Sequence, residues 1–290
     1  MSYKLQRRLL LGGFLFVPML LMAMLFVYPT ARMVFYSFTD WNGISDSYSW
    51  VGLHNFVQES TNMSVWKALK NNGIYALNGI VQNVVGLFFA VLLAGKLKGK
   101  TAFKMILFVP FILNFSAVVY LFNYLFDYRA GPINMFLKEL GASPIRFFSD
   151  EHLVTFSLAF ISFWRYLGYT MVIYLAALMS VDREIYEAAE VDGCSGWKKF
   201  RYITFPSIRR IVELNLFLSL SGALQAFGES LIITQGGPGD ASYTFLYYVI
   251  LLYTKFNSYG PAAALSVLLI LLIIVLALIQ RIVIMRGESK

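Results

Sequence analysis

Long apolar runs recur along this 290-residue chain, and they constrain its fold more than any other feature. Six of them lie at about 9–38, 71–95, 105–126, 153–180, 211–234 and 260–284. Each reaches the roughly 20 residues that a helix needs to cross a hydrocarbon core about 30 Å thick. A β-barrel would instead show short segments of alternating polarity. The runs therefore predict an all-α polytopic membrane protein with six transmembrane helices.

The composition agrees with this fold class. Only 14% of the residues are charged, whereas a soluble domain carries about 25%. The basic, apolar start of the chain is too long for a cleaved signal peptide and is interpreted as a retained first span. The single cysteine, Cys194, excludes an intrachain disulfide and a cysteine metal cluster, and the two histidines stand apart in loops. We expect no metal site.

The lysines and arginines indicate how the chain crosses the membrane. Sixteen of the 24 lie in the segments 4–8, 96–104, 183–210 and 281–290, which share one side if there are six spans. Because these residues favour the cytoplasmic side, both termini are predicted to be cytoplasmic. The net charge of +8 then reflects topology rather than nucleic-acid binding. A further apolar run at 243–256 is too short for a seventh crossing and predicts an interfacial or partly inserted helix.

The most distinctive segment begins at Asp182 and reads "DREIYEAAEVDGCSGWKKFRYITFPSI". Good helix formers at 183–190 follow Asp182 as a plausible N-cap, and Gly193 and Gly196 allow a turn before a second short amphipathic helix. An amphipathic loop lying on lipid headgroups is one interpretation. Five acidic residues in the first half would be repelled by anionic lipid, which favours a protein partner on the cytoplasmic side.

The same segment resembles the EAA loop of permease subunits in binding-protein-dependent ABC importers. Glu187-Ala188-Ala189, three residues, Gly193, nine residues, and then Ile203, one residue, Phe205 and Pro206 match its spacing, with Phe205 where leucine is usual. Further landmarks resemble the carbohydrate branch of the family, the maltose and glycerol-phosphate type. They are "VGLHNF" (Val51–Phe56), Pro110, "GPIN" (Gly131–Asn134), "TQGGPG" (Thr234–Gly239) and "YGPAAALS" (Tyr259–Ser266).

This resemblance implies a type I importer fold with a cytoplasmic coupling helix. The chain would be a single transmembrane permease domain, 1–290, with the first span and an external loop at 1–69, a core at about 70–285 and the EAA loop at 182–206. It would lie in the bacterial inner membrane beside a second permease subunit. It would not be an enzyme itself, since two separate ATPase subunits would bind ATP and magnesium.

The resemblance also assigns two contact regions. The expected ATPase-coupling residues are Glu187, Ala188, Ala189, Asp192 and Gly193. A substrate-loaded extracytoplasmic binding protein would dock at Gly236, Gly237, Pro238 and Gly239, which also form a tight turn at the end of a span.

Polar side chains within the spans predict the substrate pathway, because such groups are costly in lipid and usually face a cavity. The predicted pathway residues are Ser162, Arg165, Tyr166, Tyr169, Gln225, Phe227 and Glu229, with Gln225 and Glu229 as an i,i+4 pair. Asn83 and Asn114 are further polar residues inside spans. Amides, carboxylates and aromatic faces suit a sugar substrate.

Three alternatives remain open at this point. The same architecture could import an anionic solute such as glycerol phosphate or a uronic-acid oligosaccharide, with Arg165 as the counter-charge. Arg165 could instead pair with Glu229 or with the sister permease and play no part in substrate binding. An ion-coupled secondary transporter would have inverted repeats and broken helices, and neither is evident in the sequence.

Overall fold

The structure is a computed structural model that describes residues 3–95 and 97–288. Within these residues it is helical, with one isolated bridge between Thr39 and Trp50 in place of a sheet. The α-helices are α1 Tyr3–Met22, α2 Tyr28–Tyr36, α3 His54–Thr61, α4 Met63–Ala94, α5 Lys100–Ile112, α6 Phe115–Leu125, α7 Pro132–Glu139, α8 Val154–Met179, α9 Arg183–Val191, α10 Gly196–Lys199, α11 Phe205–Leu224, α12 Phe245–Thr254 and α13 Tyr259–Glu288. Short π-helical segments occur at Ala23–Val27, Phe200–Thr204 and Ser230–Thr234.

The described residues fall into two compact units. The first comprises Met1–Asn62 with Val249–Leu271, and the second Met63–Tyr248 with Leu272–Lys290, in each case as far as the chain is described. The single domain at 1–290 stays a prediction. Lys96 and Lys290, which contribute to the charge bias used for topology, lie outside the described residues.

In the part of the chain that the structure describes, four helical stretches are long and apolar enough to cross a membrane. They are Leu10–Tyr36, Met63–Ala94, Val154–Met179 and Tyr259–Ile282. These stretches correspond to the predicted first, second, fourth and sixth spans.

The predicted third span is sharply bent. Helices α5 and α6 meet at about 100° across a two-residue break, Leu113 and Asn114. Two local features account for the break. Pro110 in the last turn of α5 has no amide hydrogen to donate. The Asn114 side chain caps the start of α6 by accepting hydrogen bonds from the Ser116 and Ala117 amides at 2.9 and 3.3 Å.

The predicted fifth span is interrupted as well. Helix α11 ends at Leu224, and the chain resumes as the π-helical segment Ser230–Thr234. The count of six crossings therefore stays a prediction. Broken helices, which were not evident in the sequence, therefore occur in the predicted third and fifth spans.

Helix α12 lies inside the apolar run 243–256 and is largely buried by the protein. At ten residues it is about 15 Å long, too short to cross a membrane. Only Tyr253 and Thr254 of its residues are exposed. Whether this helix is interfacial or partly inserted stays a prediction.

Helix α4 is the centre of the second unit and packs against α8 and α11, while α5 packs against α8. A buried polar network joins the first three. The Asn83 Oδ1 atom accepts hydrogen bonds from the Tyr174 hydroxyl and, at 2.8 Å, from Asn215 Nδ2. Asn83 Nδ2 donates to Ser219 Oγ at 2.8 Å. Because each partner is buried or half-buried, the network fixes the register of these helices.

The contact between α5 and α8 depends on Gly168. A Cβ atom at this position would lie 1.8 Å from the Leu107 carbonyl oxygen. The two helices can approach this closely only because residue 168 has no side chain.

Candidate functional site

A cavity of about 790 Å³ opens in the second unit, among α4, the α5–α6 bend, α8 and the region where α11 ends. All seven predicted pathway residues line it: Ser162, Arg165, Tyr166, Tyr169, Gln225, Phe227 and Glu229. The structure thus brings together residues from two separate stretches of sequence. The volume of the cavity is in the range typical of small-molecule binding sites.

Arg165 lies among aromatic rings on one side of the cavity. Its guanidinium carbon is 5.2 Å from the centre of the Phe115 ring and 5.1 Å from that of Tyr166. Its Nη1 atom donates a hydrogen bond to the Tyr166 hydroxyl at 3.0 Å. The Nε atom is buried without a hydrogen-bond partner among the described residues.

Glu229 occupies a more enclosed position in the same cavity. It is 5% exposed, and its Oε1 atom accepts a hydrogen bond from Ser162 Oγ at 2.5 Å. No ion pair within 4.0 Å joins it to Arg165 among the described residues. The direct Arg165–Glu229 pairing considered from the sequence is therefore not formed in this conformation.

Gln225 and Phe227 reach the cavity from the interruption after α11. The chain is not helical from Gln225 to Phe227. The predicted i,i+4 relation of Gln225 and Glu229 is therefore wrong as helix geometry. Both residues still line the cavity.

Several cavity residues were not predicted from the sequence. Asn78 and Gln82 of α4 line the cavity, and their side chains donate hydrogen bonds to Ala159 O at 3.0 Å and to Thr170 Oγ1 at 2.9 Å. Their four-residue spacing, continuing a polar stripe from Asn71, was a usable signal. By contrast, Asn83 belongs to the buried helix network, and Asn114 is a helix cap; neither lines the cavity.

Aromatic rings form a second part of the lining. Phe111 of α5 stacks on Tyr169 of α8 with ring centres 4.6 Å apart. Phe115 begins α6 and lies beneath the Arg165 guanidinium. No sequence signal distinguished these two residues, since the chain contains 26 phenylalanines.

The segment 183–204 has the predicted helix–turn–helix form. Helix α9 ends at Val191, the turn contains Gly193, and α10 with the following π-helical segment leads into α11. An ion pair between Glu190 and Lys199 joins the two short helices. Trp197 is 73% exposed and Glu187 and Ala188 are exposed, whereas Ala189 is buried within the segment.

Gly193 determines how α9 ends. Its φ of +73° lies in the left-handed region. The Gly193 amide donates to Glu190 O at 3.1 Å and the Cys194 amide donates to Ala189 O at 2.8 Å, which is the bonding pattern of a Schellman cap. At the other end, Asp182 occupies the predicted N-cap position, but its side chain makes no capping hydrogen bond.

The loop that contains Gly236, Gly237, Pro238 and Gly239 is anchored within the second unit. Asn71 of α4 donates hydrogen bonds to Ala241 O at 2.8 Å and Tyr243 O at 2.7 Å, and Lys67 forms an ion pair with Asp240. Gly236 is buried against Tyr243, Gly237 and Pro238 are half-buried, and Gly239 is exposed. Among the four predicted docking residues, Gly239 is thus the most accessible to a partner.

Comparisons with known proteins agree with this architecture. Residues 82–286 match the family described as binding-protein-dependent transport system inner membrane component. A probable ABC transporter permease protein of Pyrococcus horikoshii is 32% identical over 267 residues, which cover 90% of this chain and 91% of that protein. The lactose transport system permease protein LacF of Rhizobium radiobacter is 30% identical over 281 residues, covering 93% and 92%.

A solved structure has the same fold. A chain from the crystal structure of a bacterial ABC transporter involved in the import of the acidic polysaccharide alginate aligns with a TM-score of 0.85 at 20% identity, covering 98% of this chain and 97% of that chain. The predicted helical importer-permease fold is confirmed. The chain belongs to the family of binding-protein-dependent transport system inner membrane components.

Proposed function

We propose that this chain is one of two membrane-spanning permease subunits of an ATP-driven importer of sugars or oligosaccharides. The observation that carries the proposal is the cavity of about 790 Å³ in a chain of this transport family. Its lining combines amides, hydroxyls, one carboxylate, one guanidinium and aromatic faces.

This lining suits a carbohydrate. Sugar hydroxyls donate and accept hydrogen bonds, which the amides of Asn78, Gln82 and Gln225 can complement. The stacked rings of Phe111 and Tyr169 offer an apolar surface for the C–H faces of a pyranose. The relative LacF is named for lactose transport, which supports a saccharide substrate here.

An anionic solute is the second candidate substrate. Arg165 favours it, because no carboxylate of the described residues lies within 4.0 Å of its guanidinium. The structural neighbour from an importer of alginate, an acidic polysaccharide, supports the same candidate.

Energy would come from two ATPase subunits on separate chains, which bind ATP and magnesium. The exposed Glu187 and Ala188 would enter a groove on one of the ATPase subunits, and Ala189, Asp192 and Gly193 would shape this coupling segment. Closure of the ATPase pair would move the coupling segments of both permeases and switch the spans between outward-open and inward-open states. A compact helix–turn–helix transmits such a displacement better than a flexible loop.

We further propose that the segment 183–204 and both termini are cytoplasmic, and that a loaded binding protein docks around Gly239 on the other side. The excess of Lys and Arg in the segments 4–8, 96–104, 183–210 and 281–290 supports this orientation. The inner membrane is the location given by the family description.

Uptake by whole cells tests the substrate class. Cells with and without this chain are given labelled neutral and acidic di- to pentasaccharides. We expect uptake of at least one saccharide to depend on the chain. Equal uptake of every saccharide in both strains would contradict the proposal.

A further inference from the structure

We propose that Arg165 makes the cavity selective for saccharides that carry a carboxylate, such as uronic-acid oligosaccharides. The inference rests on the proposed function and specifies its substrate class. It follows from how the two charged residues of the cavity are held, not from the presence of a cation alone.

Arg165 is held in place without a direct ion-pair partner among the described residues, although Glu229 is near enough to interact with it electrostatically. Phe115 and Tyr166 flank its guanidinium at 5.2 and 5.1 Å, and its one hydrogen bond among the described residues goes to the neutral Tyr166 hydroxyl. A guanidinium has five N–H donors. Its Nε donor is buried, so the donors available to a ligand are those of the Nη atoms that do not bond Tyr166.

Glu229 does not neutralise this cation by direct contact. Its carboxylate is 5% exposed, receives the Ser162 hydroxyl at 2.5 Å and makes no ion pair within 4.0 Å among the described residues. Among the described residues, these two are the only charged ones in the lining of the cavity. Arg165 is half-buried, so it is the more accessible of the two charges.

A ligand carboxylate would supply what the guanidinium lacks. Guanidinium–carboxylate bonds are charge-assisted and often bidentate, and they strengthen where water is excluded. A neutral sugar would leave the partly desolvated cation unpaired. The Phe111–Tyr169 stack would meanwhile pack against the sugar ring, so the carboxylate and the ring face would be recognised together.

Direct binding to the purified complete importer, without nucleotide, tests the inference. The probes are trigalacturonate, trimannuronate and their carboxyl-reduced neutral forms, which match them in size and linkage. We expect at least one uronate to bind about 10- to 100-fold more tightly than its neutral form, the ratio for a hydrogen bond to a charged group.

Variants identify the residue responsible. Arg165→Gln should bring the ratio close to one, mainly by weakening uronate binding, and Arg165→Lys should keep part of the preference. Arg209→Gln is the matched control, because Arg209 pairs with Glu213 and does not line the cavity. It should keep the full preference. If Arg165→Gln does not assemble, as judged by thermal unfolding, the Lys variant decides: an unchanged ratio would overturn the inference.

The outcomes separate this inference from the proposed function. Equal binding of charged and neutral probes, a preference that survives Arg165→Gln, or binding of neither probe class would overturn the selectivity. Carbohydrate import itself would still stand if the chain supports uptake of a neutral saccharide. It would fail only if no saccharide uptake depends on the chain.

Discussion

Gly193 and Glu187 play different parts in the coupling segment, although both belong to its sequence motif. Gly193 adopts a φ of +73° and closes α9, and a Cβ added there would meet nothing within 4 Å. Its role in this structure is therefore conformational. Glu187 is exposed, and its ion pair with Arg183 is long at 3.8 Å. Such a surface pair adds about 0–1 kcal/mol, so a transport defect at Glu187 would report on a partner rather than on folding.

Substitutions at these two residues test the coupling role. Gly193→Ala places a side chain in the left-handed region at a cost of about 1–2 kcal/mol, so we expect ATP-driven uptake to fall several-fold. Gly193→Pro also removes the amide that donates to Glu190 O and should abolish uptake, as should Glu187→Lys.

Gly141→Ala is the matched control for the strained glycine. Gly141 has a φ of +75° and the same open surroundings, but it lies in the loop 127–152. We expect near-normal uptake. Membrane levels are measured by immunoblot for every variant. Normal transport in both Gly193→Pro and Glu187→Lys would refute the coupling assignment.

The helices show which elements can be predicted from local sequence. The predicted span 153–180 forms α8, Val154–Met179, as its continuous apolar pattern indicates. The interruption at Gln225–Phe227 could not be predicted in this way. Its sequence is compatible with a helix, and Gly228 beside it packs so closely on Phe115 that a Cβ would lie 2.5 Å from the ring. That contact joins residues more than 100 positions apart.

The residues of the cavity likewise include some that can be predicted from local sequence and some that cannot. Arg165 and Glu229 were predictable, because a charged side chain inside a span needs a polar environment. Phe111 and Phe115 were not, because their position depends on the bend between α5 and α6. The α4 stripe through Asn78 and Gln82 could have been predicted from its spacing.

The sidedness of α9 and of the loop after Thr234 can be measured together. A photo-crosslinking amino acid in place of Ala188 should capture an ATPase subunit, and one in place of Gly239 should capture the binding protein, since both positions are exposed. Ile106 of α5, which is 70% exposed and apolar, is the control and should capture neither soluble partner. If the chain crosses the membrane an odd number of times between positions 188 and 239, the two positions lie on opposite sides. Capture of the same partner from both positions would contradict this topology.

At the scale of the whole molecule, this chain is in the proposed function a conduit that depends on other chains for energy and for substrate delivery. Its cavity lies in the second unit, which includes both the coupling segment and the loop 235–244. The broken helices are also a feature of ion-coupled transporters. Because this chain belongs to a binding-protein-dependent family, its broken helices do not make it an ion-coupled transporter.

Transport in proteoliposomes that contain the complete importer tests the central claim most directly. We measure uptake of the saccharide found with whole cells, with the loaded binding protein on one side and ATP on the other. We predict that uptake requires both and continues when ionophores collapse proton and sodium gradients. Uptake that proceeds without ATP and stops when an ion gradient is collapsed would contradict the account.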